Sequence, residues 1–351
     1  MLVHICCSVD SHYFLKRLRE AMPDENIIGF FYNPNIHPFE EYMLRLLDVK
    51  RSCKKYDIGL IEGDYDAKNW LQTVKGFECE KERGKRCEVC FEARLETTAK
   101  KAKEIGENRI TTTLFMSPKK SFEQLTTAAE KTGKRWEIEV LCFDFRKNGG
   151  TNEQFKLARE ERLYRQNYCG CMYALLDQRE AQKRFCGELS NPIGKEILPS
   201  SIKERLEIYT KVCECEKSGI GFALKREEFQ NYRFLWGRVL DKNGAVLPSW
   251  FLGAPDGDFE TAVENVSGGY GFAKDMLFIE LWRFNKTAKR AYKSVKELIF
   301  NPPASEEQKN LCAKFSDYSL IAVVEKVEKT VYKLEARSIN YKDVREVLAI
   351  L

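Results

Sequence analysis

Histidine is nearly missing from this chain, and its scarcity is the first constraint on the chemistry. Three occur in 351 residues, and none stands at zinc-finger spacing from a cysteine, which excludes Cys2His2 and Cys3His sites. No apolar run approaches the roughly 18 residues of a membrane-spanning helix. The opening Met1-Leu2-Val3-His4-Ile5 lacks the basic flank and long apolar stretch of a secretory signal. A surplus of one charge is lacking too: 58 basic and 53 acidic side chains leave a net charge of +5. That excludes a uniformly basic nucleic-acid coat while leaving room for a local basic face. No G-x-x-x-x-G-K-[ST] phosphate loop occurs. A soluble cytoplasmic protein with no membrane partner is expected.

Cysteine, by contrast, is abundant. Thirteen are present, an odd number in a chain long enough to need no staples, so metal binding or thiol chemistry is expected rather than a disulfide framework.

The length predicts two domains. Residues 1–180 alternate short apolar runs with helical periodicity: strands are expected over 2–6, 27–32, 58–62, 110–115 and 137–143. Helices are expected from Asp10 or Ser11 onward, then over 38–56, 69–74, 91–105 and 121–132. This pattern predicts an α/β fold with a doubly wound, mostly parallel sheet, whose site lies at the carboxyl ends of the strands. A linker over 181–201 contains Asn191-Pro192 and Pro199-Ser200-Ser201, and residues 202–351 read as an α+β accessory domain. There, 229–239 and 246–252 flank the turn Asp241-Lys242-Asn243-Gly244, and 320–327 is expected to pair with 330–337.

Six cysteines gather where such a sheet places its site. Cys6 and Cys7 end the first strand, Cys87 and Cys90 form C-x-x-C just before a helix, and Cys169 and Cys171 form C-x-C around Gly170. Six thiolates exceed the four that one zinc or one [4Fe–4S] cluster takes. Asp10, three residues beyond Cys7, adds a carboxylate, so a [4Fe–4S] cluster plus a second, substrate-facing metal would use all seven groups. Cys87 and Cys90 suit a single site. Cys6 and Cys7 are expected to point to opposite faces of an extended strand, so one cluster ligand is expected from that pair and one from Cys169 and Cys171. Cys53 and Cys142 read as core, Cys186 and Cys312 as structural, and Cys213 with Cys215 as helical residues whose side chains diverge.

The loop Cys6-Cys7-Ser8-Val9-Asp10-Ser11 resembles the S-G-G-x-D-S loop of adenine nucleotide α-hydrolases (the HUP-like fold), with Cys7 and Ser8 in the two glycine positions. That obstructs the backbone approach a phosphate needs. Further stretches resemble the QueH-type epoxyqueuosine reductases. They are His4-Ile5-Cys6-Cys7, Phe31-Tyr32-Asn33-Pro34-Asn35-Ile36, Ile61-Glu62-Gly63-Asp64-Tyr65, Arg86-Cys87-Glu88-Val89-Cys90-Phe91, Thr111-Thr112-Thr113-Leu114, Asp144-Phe145-Arg146-Lys147 and Leu163-Tyr164-Arg165-Gln166-Asn167-Tyr168-Cys169-Gly170-Cys171. Where the family often carries C-C-x-P-C at the start, this chain has Val9 and Asp10 in place of the proline and third cysteine.

The resemblance implies a two-electron removal of an epoxide oxygen in the last step to queuosine in tRNA. It further implies a [4Fe–4S] cluster, an additional mononuclear iron with Asp10 as a competent ligand, and an external electron donor. Tyr164, Arg165 and Tyr168 are candidates for proton donation or substrate contact, and the tyrosines equally for packing. Two alternatives stay open: a cluster-dependent tRNA thiolation enzyme, and a non-enzymatic zinc-binding nucleic-acid module. For the tRNA partner, Arg283, Lys286, Lys289, Arg290, Lys293 and Lys296 would form one stripe if helical, and Lys119, Lys120, Arg146 and Lys147 lie in loops nearer the expected site.

Overall fold

The computed structural model describes residues 1–190 and 196–351. Asn191 and Pro192 of the expected linker lie outside them. The chain divides into two compact units, Met1–Leu189 with Arg205–Gly221, and Ser190–Glu204 with Phe222–Leu351.

The first unit runs β1 (Leu2–Ile5), α1 (Ser8–Ala21), β2 (Ile28–Phe31), α2 (Phe39–Lys55), β3 (Gly59–Glu62), α3 (Ala67–Thr73), α4 (Lys85–Glu104), β4 (Arg109–Thr112), α5 (Phe122–Trp136), β5 (Glu139–Val140), α6 (Gly150–Glu160), α7 (Met172–Ala181) and α8 (Ile202–Ser218). Its strands are all parallel in the order β3-β2-β1-β4-β5, so the chain winds outward from β1, first one way and then the other. Alternation along β1 divides the core between the two faces of the sheet. Val3 and Ile5 join Phe14, Leu15 and Phe31, while Leu2 joins Phe30, Ala99 and Ile110. Each large side chain buried there contributes about 1.5–3 kcal/mol.

Three features depart from the sequence reading. Helix α4 begins at Lys85 behind the N-cap Gly84, not at 91, so C-x-x-C occupies its first two turns rather than a preceding loop. Helix α6 has no counterpart in the expected elements. Helix α8 falls within the expected accessory domain, yet from Arg205 onward it packs with the first unit. There Arg51 on α2 pairs with Glu216, and Tyr164 meets Tyr209 edge-on at 5.4 Å between ring centres.

The second unit runs β6 (Phe222–Leu240), β7 (Val246–Leu247), β8 (Ser249–Leu252), β9 (Gly257–Ala262), β10 (Asn265–Ser267), β11 (Tyr270–Phe272), β12 (Met276–Glu280), α9 (Leu281–Ala288), α10 (Val295–Phe300), α11 (Ser305–Lys314), β13 (Leu320–Val324) and β14 (Val331–Ile350). The turn after β6 forms as expected, with the Asp241 carboxylate accepting from the Asn243 and Ala245 amides. The expected pairing of 320–327 with 330–337 does not form. Strand β13 sits between β12 and β8 in a five-stranded sheet, and β14 between β6 and β9 in a four-stranded one. Burial explains this: Leu320–Val324 is buried throughout, as a covered central strand is, whereas the start of β14 alternates exposed and buried. Among the described residues no helix is long and apolar enough to cross a membrane.

Candidate metal and substrate site

A solvent-open cavity of about 770 Å³ lies at the carboxyl end of the parallel sheet, lined by Cys6, Cys7 and Asp10 and also by Cys169. Strand β1 ends at Ile5, and Cys7, still extended at φ −162° and ψ 162°, is the N-cap residue of α1. The two sulfurs lie 3.6 Å apart instead of pointing apart as expected. Asp10, in the first turn of α1, brings Oδ2 to 3.8 Å from Cys6 Sγ, while its Oδ1 accepts from Gln154 Nε2 at 2.6 Å. These three ligand atoms lie within 4.8 Å of one another. A hydrogen bond from the Cys7 thiol, then the Arg94 guanidinium, holds the Cys6 thiol down to about 5 against its burial. Burial, with Cys6 adding to it, lifts the Asp10 carboxyl to about 7.

The other four cysteines form a second neighbourhood. Cys87 and Cys90 come from α4, and Cys171 is the N-cap of α7. Cys90 and Cys171 pack in one buried cluster with Trp70, whose indole N–H donates to Cys90 Sγ at 3.4 Å. Burial, followed by the Ala174 amide acting against it and by Cys169 and Cys90 acting with it, leaves the Cys171 thiol at about 12. Burial and then Cys169 raise the Cys87 thiol, with Lys120 opposing.

Arg45 on α2 holds the C-x-C loop in place. It is almost fully buried, pairs with Glu41 at 2.7 Å, and donates to the Cys169 and Tyr168 carbonyls at 3.0 and 3.1 Å. Between the cysteines, Gly170 has φ +111°, and a Cβ there would lie 2.9 Å from Ile36 Cγ1, so only glycine fits.

The proposed substrate-facing trio separates. Tyr168 lines the cavity wall, with its hydroxyl donating to the His37 carbonyl and its ring under the Arg45 guanidinium. Arg165 lines the cavity from an exposed position. Tyr164 does not line it: its hydroxyl donates to Glu41 Oε2 at 2.8 Å, which ties the loop to α2.

The basic residues separate as well. Lys120 is 8% exposed, with Nζ 2.8 Å from Cys169 Sγ and 3.5 Å from Glu82, so it faces a thiol and not a phosphate backbone. Burial acts to lower its pKa, but the Cys169 and Cys87 sulfurs reverse that and leave it raised. Arg146 is committed to Asp144 and to the Ser117 and Lys120 carbonyls; Lys119 and Lys147 are exposed. The single helical stripe over 283–296 does not exist. Helix α9 stops at Ala288 with Lys289 left-handed, Arg283 is bound to the Gly268 carbonyl, and Arg290 pairs with Glu307. Lys286, Lys289 and Lys293 are exposed. Cys142, expected in the core, is exposed just beyond β5, while Cys53 is buried.

Sequence reasoning missed Arg45, Arg94, Gln154 and Gln166. Gln166 Nε2 donates to Cys7 Sγ at 2.9 Å, and fully buried Arg94 donates to Asn33 Oδ1 at 2.5 Å. Asn33 and Gln166 stood inside quoted motifs. The two arginines lie on the buried faces of α2 and α4, and a buried arginine needs a partner.

The family model described as "Epoxyqueuosine reductase QueH" matches residues 1–177. A Helicobacter pylori protein named epoxyqueuosine reductase QueH is 40% identical over 97% of this chain and 97% of its own length. The protein of that name from Histophilus somni is 37% identical over 52% of this chain and 76% of its own. Among solved structures, the U34-tRNA thiolase NcsA from Methanococcus maripaludis with its [4Fe-4S] cluster overlaps 61% of this chain and 73% of its own at 13% identity and a TM-score of 0.33, too low to bear on fold or function. The full-length match and the family model agree with the cysteine-lined cavity: the chain belongs to the QueH family of epoxyqueuosine reductases.

Proposed function

We propose that this chain reduces the epoxide of epoxyqueuosine in tRNA to the alkene of queuosine. In this reading Cys87, Cys90, Cys169 and Cys171 hold a [4Fe–4S] cluster, and Cys6, Cys7 and Asp10 hold a single iron. The division of seven donors into two sets carries the proposal. Three lie within 4.8 Å, the reach of one ion, and two thiolates with a carboxylate leave coordination positions open. The other four are near enough to act on one another's charge, Cys169 and Cys90 on both Cys87 and Cys171, and four thiolates are what one cluster takes. This replaces the expectation that Cys6 or Cys7 would complete the cluster.

The reaction takes up two electrons and two protons per epoxide and releases one water, so an external donor must feed it. When bound, the cluster passes electrons one at a time and the iron polarises an epoxide oxygen. The chain's own side chains orient the modified base. Asn35 Oδ1 and Gln166 Oε1 are buried acceptors on cavity-lining residues, and they suit the hydroxyls of the substrate's cyclopentane ring. Tyr168 and Arg165 complete that wall. Exposed Lys119, at the cavity rim, and Lys147 are candidate contacts for tRNA phosphates in the first unit, and exposed Lys286, Lys289 and Lys293 are a separate candidate set in the second. With Cys7 and Ser8 in its first loop, the parallel sheet reads as a HUP-like sheet no longer suited to ATP. A cytoplasmic location goes with this reading. Thiolation and the zinc module give way to the family assignment.

Cys87→Ser and Cys90→Ser, purified anaerobically, test the cluster ligands. Bound iron and sulfide should fall sharply, together with turnover of epoxyqueuosine-containing tRNA. A full, unaltered cluster in either variant would overturn the assignment.

A further inference from the structure

Lys120 carries a charge that the reaction scheme above leaves unused. It follows the 3-10 turn Thr113–Met116 at the end of β4 and lies just before α5, so the central sheet delivers it to the cavity wall. Its ammonium is buried against the Phe91 ring, 5.7 Å from the centroid, a placement that costs free energy unless an anion is close. Two partners are close: Cys169 Sγ, which a bound cluster would hold as a thiolate, at 2.8 Å, well inside hydrogen-bonding range for sulfur, and the Glu82 carboxylate Oε1 at 3.5 Å. Glu82 is itself 38% exposed, so water weakens its share and leaves the Cys169 sulfur as the nearer partner.

We infer that Lys120 sets the reduction potential of the thiolate-bound cluster through an N–H···S hydrogen bond to Cys169. The inference rests on the cluster reading above. Hydrogen bonds to ligand sulfurs and the local net charge are among the determinants of cluster potential. Adding an electron raises the negative charge on the sulfurs, so a fixed ammonium beside one of them favours the reduced state. No bond is made or broken: one electron enters from an external reductant and none leaves. Lys120 acts through Cys169 and touches no reacting atom, so it is a positioning residue, not a catalytic one. Because Glu82 partly neutralises it, the same geometry makes Glu82 a brake on the effect.

The test is an anaerobic potentiometric titration of the purified holoenzyme, read by visible absorption and electron paramagnetic resonance, with iron and sulfide counted on the same preparations. Lys120→Met should lower the reduced-to-oxidised ratio about tenfold at fixed ambient potential, about 59 mV for a one-electron couple. Lys120→Arg should recover most of that shift. Glu82→Gln, at an exposed position that leaves folding intact, should move the potential the opposite way. If Lys120→Met fails to load its cluster, the Glu82→Gln shift decides alone. A loaded cluster whose potential ignores these substitutions overturns the inference and leaves the cluster assignment standing. A wild-type chain without iron and sulfide overturns the cluster assignment itself, and the inference falls with it.

Discussion

Replacing Arg45 by methionine should unfasten the C-x-C loop and destabilise the first unit by about 3–5 kcal/mol, the cost of breaking a buried ion pair from one side. The structure supplies the reasons. Arg45 and Glu41 are 3% and 0% exposed and 2.7 Å apart, so the variant strands a carboxylate in the interior. The Cys169 and Tyr168 carbonyls lose their donors as well, at about 1–3 kcal/mol for each group left unsatisfied. With a urea slope of about 3 kcal/mol per molar, the unfolding midpoint should fall by more than about 1 M. Adding Glu41→Gln removes the stranded charge, because the amide oxygen still accepts from Tyr164, and should recover most of the loss. Urea titration of apoprotein, followed by circular dichroism, measures the stability; anaerobic iron and sulfide counts should show poorer cluster retention in the single variant. A single variant with the wild-type midpoint, or a double variant no better than the single, would refute the reasoning.

Asp10→Ala should keep its brown cluster but lose about one iron per chain and nearly all epoxide reduction; a helix-capping role, which its hydrogen bonds do not support, would instead leave turnover normal. Gly170→Ala must enter φ +111° against Ile36, so it should lose about 1–3 kcal/mol in urea and a large part of its bound iron. His12 is neutral in the folded chain because burial pulls it to about 4, below the 6.5 of an unfolded histidine. Between those values the unfolded chain binds the extra proton, so stability is complete above pH 6.5 and falls by about 3 kcal/mol toward pH 4. His12→Gln, titrated beside wild type, should flatten that acid limb; parallel limbs would contradict the assignment. Charge reversal at Lys286, Lys289 and Lys293 together should weaken tRNA binding and flatten its salt dependence, and unchanged affinity at moderate salt would return them to a solvated surface.

The parallel sheet was legible because each of its strands is a short apolar run separated by helical periodicity, and the ends came out within a few residues. The donors were legible by type and proximity, since C-x-x-C, C-x-C and Cys-Cys are local patterns. Their division into sets was not. The division proposed above rests on the Cys6 and Cys7 sulfurs lying 3.6 Å apart where the strand gives way to α1, a closeness that strand alternation does not report. Helix α6 escaped because it opens on Gly149-Gly150, residues that read as a turn, and with it went Gln154, the partner of Asp10. Lys120 read as a surface cation because spacing carries no burial, and Arg45 passed unnoticed because, apart from Glu41 on its own helix, its partners are carbonyls far along the chain. The basic stripe failed at one residue: Lys289 turns left-handed and ends the helix that would have aligned the charges.

The metal donors arrive from three widely separated stretches of chain, around Cys6, Cys87 and Cys169, and only the finished sheet and the Arg45 anchor bring them together. A zinc finger folds around its ion; with the ligand set proposed above the order would be reversed. The core packs mostly through aliphatic and aromatic side chains and parallel pairing, with Cys6 and Cys7 only two of its many members, so its burial does not depend on a bound ion. On that ligand set, loading would follow folding and add stability by mass action on an already native chain, and a chelator should undo it without melting the sheet. The folded apoprotein would then be the species that accepts the iron.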